Sequence, residues 1–261
     1  MTVYRYKKAD CPVLLSIPHA GVQLPDALTA QFTSAARLLP DTDWFIDRLY
    51  DFLNETPVGV LCAEYSRYVV DLNRGRDDAP LYANQLATGL FPERTFADKP
   101  IYAAGRQLTA EMKQARIDRF WKPYHDHLAR ELERLRDRFG FAVLWDAHSI
   151  RSRVPRLFDG ELPHLNLGTN DGRSCDPRLA AGIVECLSDS NYTVVLNGRF
   201  KGGYITRNYG NPADRVHALQ LEVAQRCYMH EADSSYAPAA ADQLQELLRR
   251  AFEIIAAFRF D

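Results

Sequence analysis

Phe141-Ala142-Val143-Leu144-Trp145 is an unbroken apolar run, and it delivers Asp146-Ala147-His148-Ser149 at its end. Such a run suits a strand buried on both faces, the kind found inside a parallel sheet. The same form recurs upstream, where Val13-Leu14-Leu15-Ser16-Ile17 is stopped by Pro18 and a turn follows at His19-Ala20-Gly21. Residues 58–63 and 65–70 are rich in β-branched and aromatic residues and predict two more strands, the second running into Asp71-Leu72-Asn73-Arg74. Residues 192–196 predict another. The last candidate, 216–223, places His217, Leu219, Leu221 and Val223 on one face and Val216, Ala218, Gln220 and Glu222 on the other.

Helical segments fall between these strands. Asp41 or Thr42 is placed to cap a helix in which Phe45, Leu49, Phe52 and Leu53 recur at helical spacing, with Asp43 in its first turn. Residues 109–138 are helical in composition, with Pro123 marking a kink or a break and Gly140 the stop. Asp176-Pro177 opens a helix to about Leu187, and 240–258 form a closing helix. Residues 75–100, with three prolines, read as an irregular cover, and 197–207 as a loop or hairpin. Alternating strands and helices without repeats or a linker predict one α/β domain over 1–261, with a mainly parallel sheet flanked by helices. In such sheets ligands bind beyond the carboxyl ends of strands, where His19, Asn73-Arg74 and His148 fall.

Composition narrows the function classes. The 261 residues are 46% hydrophobic and 25% charged, and 32 Lys+Arg against 34 Asp+Glu leave a net charge of −2. That balance gives no electrostatic case for nucleic acid or an anionic membrane. The five scattered cysteines form no CxxC pair, which argues against a disulfide framework or a thiolate zinc site. No apolar run reaches the ~18 residues of a membrane span, and the basic start lacks an apolar segment behind it, so a cytoplasmic protein is expected.

The chemistry-bearing residues are few. His19 and His148, at the ends of different strands, need only a carboxylate to complete a His₂-carboxylate metal set that leaves a position open for water. Asp43 is preferred over Asp47 and Glu64 because it follows the His19 turn closely, although a carboxylate there also suits a helix N-terminus. Arg74 beside Asn73 suits bidentate capture of a substrate carboxylate, or else a surface ion pair with Asp71, Asp77 or Asp78. Glu222, in a mostly apolar strand, must be paired, protonated or catalytic. His125 and His127 face different ways on a helix. Gly198 to Gly203 match no phosphate-binding loop, and no GxSxG surrounds Ser149.

Taken together, Ser16-Ile17-Pro18-His19-Ala20-Gly21, Asp41-Thr42-Asp43-Trp44, Glu64 to Tyr68 through Asp71-Leu72-Asn73-Arg74, Trp145 to Ile150, and Asn197 to Gly203 through Gln220-Leu221-Glu222 resemble the N-formylglutamate amidohydrolases of bacterial histidine degradation. These segments span nearly the whole chain in order. That family is distantly similar to the zinc carboxypeptidases and aspartoacylases, which implies a zinc-carboxypeptidase-like (phosphorylase/hydrolase-like) core. The resemblance implies His19 and His148 as ligands of a divalent metal, zinc by preference, Glu222 as base, Arg67 as the group polarising the carbonyl, and Asn73-Arg74 as the carboxylate clamp. Val22 stands where those relatives carry a ligand glutamate, leaving Asp43 as the expected third ligand. The implied substrate, N-formyl-L-glutamate, carries two carboxylates, so a second cationic contact is expected from Arg207, with Lys201 or Arg199 beside it.

Overall fold

A computed structural model describes residues 2–79 and 88–260. Its centre is a seven-stranded sheet, ordered β1-β3-β2-β4-β7-β5-β6. The strands are β1 (Tyr4–Lys7), β2 (Val13–Ile17), β3 (Gly59–Ala63), β4 (Ala142–Ile150), β5 (Leu165–Gly168), β6 (Val194–Leu196) and β7 (Val216–Ala224). The inner strands β3, β2, β4 and β7 run parallel, whereas β1 is antiparallel to β3 and β5 to β7. The sheet is therefore mixed. A two-stranded ribbon, β8 (Met229–His230) with β9 (Ser235–Tyr236), lies outside it.

Side-chain alternation divides the core. On one face Leu15, Trp145, Leu219 and Leu221 pack with α6 (Pro177–Ser188) and α8 (Pro238–Ala257). On the other, Leu14, Leu144 and Ala218 pack against α5 (Lys122–Phe139), which ends at Gly140 in the left-handed region (φ +81°). Shorter helices complete the chain: α1 (Asp26–Thr29), α2 (Ser34–Arg37), α3 (Ile46–Leu49), α4 (Ala110–Arg116) and α7 (Tyr204–Tyr209). Between α4 and α5 the backbone widens into a π-turn over Ile117–Trp121, directly before Pro123.

Several sequence expectations require correction. Residues 65–70 are not a strand: Tyr65 makes one bridge to Gln23, and the chain then turns, with Val69 N bonding Ser66 O and Tyr68 N bonding Ser66 Oγ. Tyr65, Tyr68, Val69 and Val70 are buried inside the fold, and Ser66 supplies a turn that periodicity does not register. The helix expected from Asp41 or Thr42 is shorter. Phe45 is left-handed (φ 59°), so α3 starts at Ile46, a 3₁₀ turn follows over Asp51–Glu55, and Asp43 precedes the helix. His148 lies within β4 instead of beyond its end, and the expected loop at 197–207 contains the start of α7. The antiparallel β1 and the short β5 were not foreseen. Of the irregular cover at 75–100, residues 80–87 lie outside the described residues.

Candidate active site

The site grows out of one face of the two central strands. Down β4 the even positions change from Ala142 and Leu144 to Asp146 and His148; down β7 they change from Val216 and Ala218 to Gln220 and Glu222. Register sets Asp146 opposite Gln220 and His148 opposite Glu222. The amino-terminal half of this face is hydrophobic core and the carboxyl-terminal half is polar, all of it buried.

Neighbouring segments bring the remaining groups. Pro18 ends β2, and the carbonyl of His19 accepts a hydrogen bond from Asp43 N (3.1 Å), tying the two loops together. Ser149 N donates to Asp43 Oδ2 at 3.0 Å, which fixes the carboxylate against β4. His19, Asp43 and His148 thereby offer ligand atoms that all lie within 4.8 Å of one another. Each histidine is anchored from behind by a carboxylate: Nε2 of His19 by Asp71 Oδ1 (2.8 Å) and Nε2 of His148 by Asp146 Oδ2 (3.0 Å). Both rings therefore turn Nδ1 toward Asp43, at 3.8 Å for His19 and 3.2 Å for His148.

This donor set fits a divalent cation. His19 Nδ1 and Asp43 Oδ1 are buried polar atoms with no hydrogen-bond partner, an arrangement that costs free energy unless something coordinates them. Carboxylates that orient ligating imidazoles from behind are the usual support of such a centre. Two nitrogens and one carboxylate oxygen are suited to zinc-like ions and leave coordination positions for water and substrate.

The electrostatics follow from burial set against these partners. Burial pushes the Asp43 and Asp71 carboxyls upward, but His148, His19 and Arg67 outweigh it for Asp43, and Arg67 and His19 for Asp71, so both lie below their usual range. For His148 burial is outweighed by Asp146 and Asp43, which raise it well above an ordinary histidine; His19 is lowered by burial and by Arg67. Glu222 goes the other way. Burial pushes its carboxyl up to about 8, with Asp43 and Asp146 adding to the rise and His148 and Arg67 opposing it.

These groups face a cavity of about 70 Å³, lined also by Arg67, Asn73, Arg74, Thr88, Phe96 and Arg199. Arg67 is buried, donates to Asp71 Oδ2 at 2.6 Å, and lies 5.0 Å from the centre of the Phe96 ring. Arg74 is steadied by the Thr88 carbonyl (2.5 Å) and hydroxyl (3.0 Å). Asn73 Oδ1 accepts from Ile205 N (2.8 Å), and its Nδ2 lies 3.0 Å from His148 Nε2 and donates toward Gln220 Oε1 (3.4 Å). Asp43 is thus the carboxylate brought to the two histidines, whereas Asp47 and Glu64 both pair with Arg5 at the surface. Of the three cations considered for a second substrate carboxylate, Arg199 lines the cavity. Lys201 pairs with Asp171, and Arg207 bonds the Gly202 carbonyl; neither is on the cavity wall.

Sequence reasoning overlooked Asp146 and Gln220 and treated Asp71 only as a possible partner of Arg74. All three are buried, and a buried polar residue within an apolar run must have partners, a signal that was used for Glu222 alone. His125 and His127 stay outside the site: His125 donates to Leu72 O and stacks on Trp121.

Fold and site together place a donor set for a divalent cation on the central strands of a mixed α/β sheet. The sequence model of the N-formylglutamate amidohydrolase family matches residues 11–229. The N-formylglutamate deformylase of Pseudomonas putida is 48% identical over 258 residues, covering 98% of this chain and 96% of its own. That of Pseudomonas aeruginosa is 50% identical over 258 residues, covering 98% and 97%. The crystal structure of the N-formylglutamate amidohydrolase of Ralstonia eutropha JMP134 superimposes with a TM-score of 0.83 at 27% identity, covering 99% of this chain and 100% of the other. The chain belongs to the N-formylglutamate amidohydrolase family. Among the described residues no helix is long and apolar enough to cross a membrane.

Proposed function

We propose that the chain is a metal-dependent amidohydrolase that cleaves N-formyl-L-glutamate to formate and L-glutamate in histidine degradation, with residues 1–261 acting as one catalytic domain. The observation that carries the reading is the convergence of His19, Asp43 and His148 beside Glu222 in an arginine-lined cavity. Two relatives named N-formylglutamate deformylase, similar over nearly the whole chain, support the substrate.

His19, Asp43 and His148 would hold the metal, zinc by the nature of its donors. The chemistry that a divalent cation held there would supply is acidification of a water and polarisation of the formyl oxygen. Glu222 is the base placed to take a proton from the water that attacks the formyl carbon and to pass it to the departing amine nitrogen. A bound cation would favour the ionised, proton-accepting form of Glu222 against the upward push of burial and of Asp43. Arg67, held in a buried position, stabilises negative charge developing on the formyl oxygen. Asn73 keeps the clamp loop in place while Arg74 takes one glutamate carboxylate; Arg199 takes the other, with Lys201 and Arg207 lending positive charge from outside the cavity wall. Five free cysteines suit a reducing compartment, in keeping with a cytoplasmic enzyme acting on a small molecule.

The test is formate release from N-formyl-L-glutamate. Dialysis against a chelator should abolish it and added zinc should restore it. Glu222→Gln should retain the metal and lose about 10²–10⁴ of turnover. Full turnover after metal removal would overturn the metal assignment, and failure of the metal-loaded protein to release formate would overturn the substrate.

A further inference from the structure

Gln220 stands two residues before Glu222 on β7, so both side chains point to the same face of the sheet. It is buried, and both ends of its amide are engaged. Oε1 accepts from Gly203 N at 2.7 Å and from Asn73 Nδ2 at 3.4 Å. Two donors converging on that oxygen fix which way the amide faces, and Nε2 is left to donate to Glu222 Oε2 at 3.3 Å.

The anchor on the oxygen side is built into the backbone. Gly168, on β5 opposite Gln220, lets the 200–203 loop lie directly on the strand: a Cβ there would come within 2.4 Å of Gly202 N. A Cβ on Gly203 would stand 2.2 Å from Asn73 Nδ2. Glycines at these positions permit the close approach that brings Gly203 N onto Gln220. One amide thus spans the loop carrying the carboxylate clamp, the 200–203 loop and the carboxylate of Glu222.

We propose that Gln220 is a positioning residue for the hydrolysis: it holds the Glu222 carboxylate toward the cavity and ties it to the loop that bears Asn73 and Arg74. The proposal rests on the reading of Glu222 as the base. Leaving an acceptor on the loop side while removing the donor on the Glu222 side separates its two functions, and Gln220→Glu does this. The variant keeps an oxygen for Gly203 N and Asn73 Nδ2 but sets an acceptor against Glu222.

The experiment is a kinetic cycle on the zinc-loaded full chain with N-formyl-L-glutamate. Gln220→Glu should lower kcat by about 10–100-fold with KM changed less than about threefold, whereas in a Glu222→Gln background the same substitution should change the residual kcat by less than about twofold. Gln220→Met, which loses both ends of the amide, should lower kcat and raise KM, and it carries the cycle if Gln220→Glu does not fold. A kcat within twofold of the parent in both variants, or a loss fully additive with Glu222→Gln, would overturn the positioning role. Wild-type turnover in Glu222→Gln itself would instead overturn the assignment of the base.

Discussion

Asp71 is the most informative residue to perturb, because its two oxygens do separable jobs. Oδ1 accepts from His19 Nε2 (2.8 Å) and from Asn73 N (2.9 Å), while Oδ2 accepts from Arg67 Nη2 (2.6 Å). Asp71→Asn can keep its oxygen at the first position, preserving the anchor on His19, but it places an amide NH₂ against the guanidinium. Asp71→Ala removes both. Arg67 and Asp71 are buried, and breaking a buried pair by removing one partner costs about 3–5 kcal/mol, so both variants should lose that much from a total of about 5–15. Zinc affinity should separate them. Loss of a carboxylate orienting a ligand histidine costs about 10–100-fold, so Asp71→Ala should fall near the upper end and Asp71→Asn near the lower. Urea unfolding of the metal-free proteins reads the first quantity, and competition with a chromophoric chelator reads the second. A metal-free Asp71→Asn as stable as the parent, or an Asp71→Ala that binds zinc like the parent, would refute the reasoning.

Two further outcomes are expected. His125 is buried and its imidazole is pushed down to about 4, so the unfolded chain binds its proton more readily than the folded one; stability conferred by the neutral ring is complete above pH 6.5 and is lost as pH falls toward 4, by about 3 kcal/mol in total. Unfolding free energies measured between pH 7.5 and 4.5 should fall by about 3 kcal/mol less in His125→Phe than in the parent, His217 and the other histidines contributing equally to both; equal slopes would place the titration elsewhere. Arg74→Lys exchanges a planar fork for a point charge, so KM for N-formyl-L-glutamate should rise about 10-fold or more with kcat kept within about threefold, and an unchanged KM would remove Arg74 from substrate binding.

The central sheet was legible because β2 and β4 announce themselves as apolar runs, and in β7 alternation sets Gln220 and Glu222 on the face opposite Leu219, Leu221 and Val223. What escaped is non-local. The segment 65–70 is rich in aromatic and β-branched residues, like a strand, and its turn is set by hydrogen bonds to Ser66. The short β5 becomes a strand by pairing with β7, not through its own composition. At the site, His19 and His148 stood out as residue types at strand ends. Asp43 is preferred over Asp47 and Glu64 for its place just after the His19 turn, and the fold adds a reason from far away in sequence: Arg5 occupies the other two. The distinction between Arg199 and its neighbours Lys201 and Arg207 likewise depends on which side of one loop faces the cavity.

The order of the strands has a consequence for how the protein is made. β4 lies between β2 and β7, yet β7 begins at Val216, so for the synthesis of some sixty residues after Ile150 one edge of β4 has no partner. His19, Asp43, His148, Asp71 and Asp146 have then all been translated, but Glu222, Gln220 and the 200–203 loop are still missing or unanchored. An open strand edge invites mispairing with other chains. The arrival of β7 therefore closes that edge and sets Gln220 and Glu222 opposite Asp146 and His148 in one event.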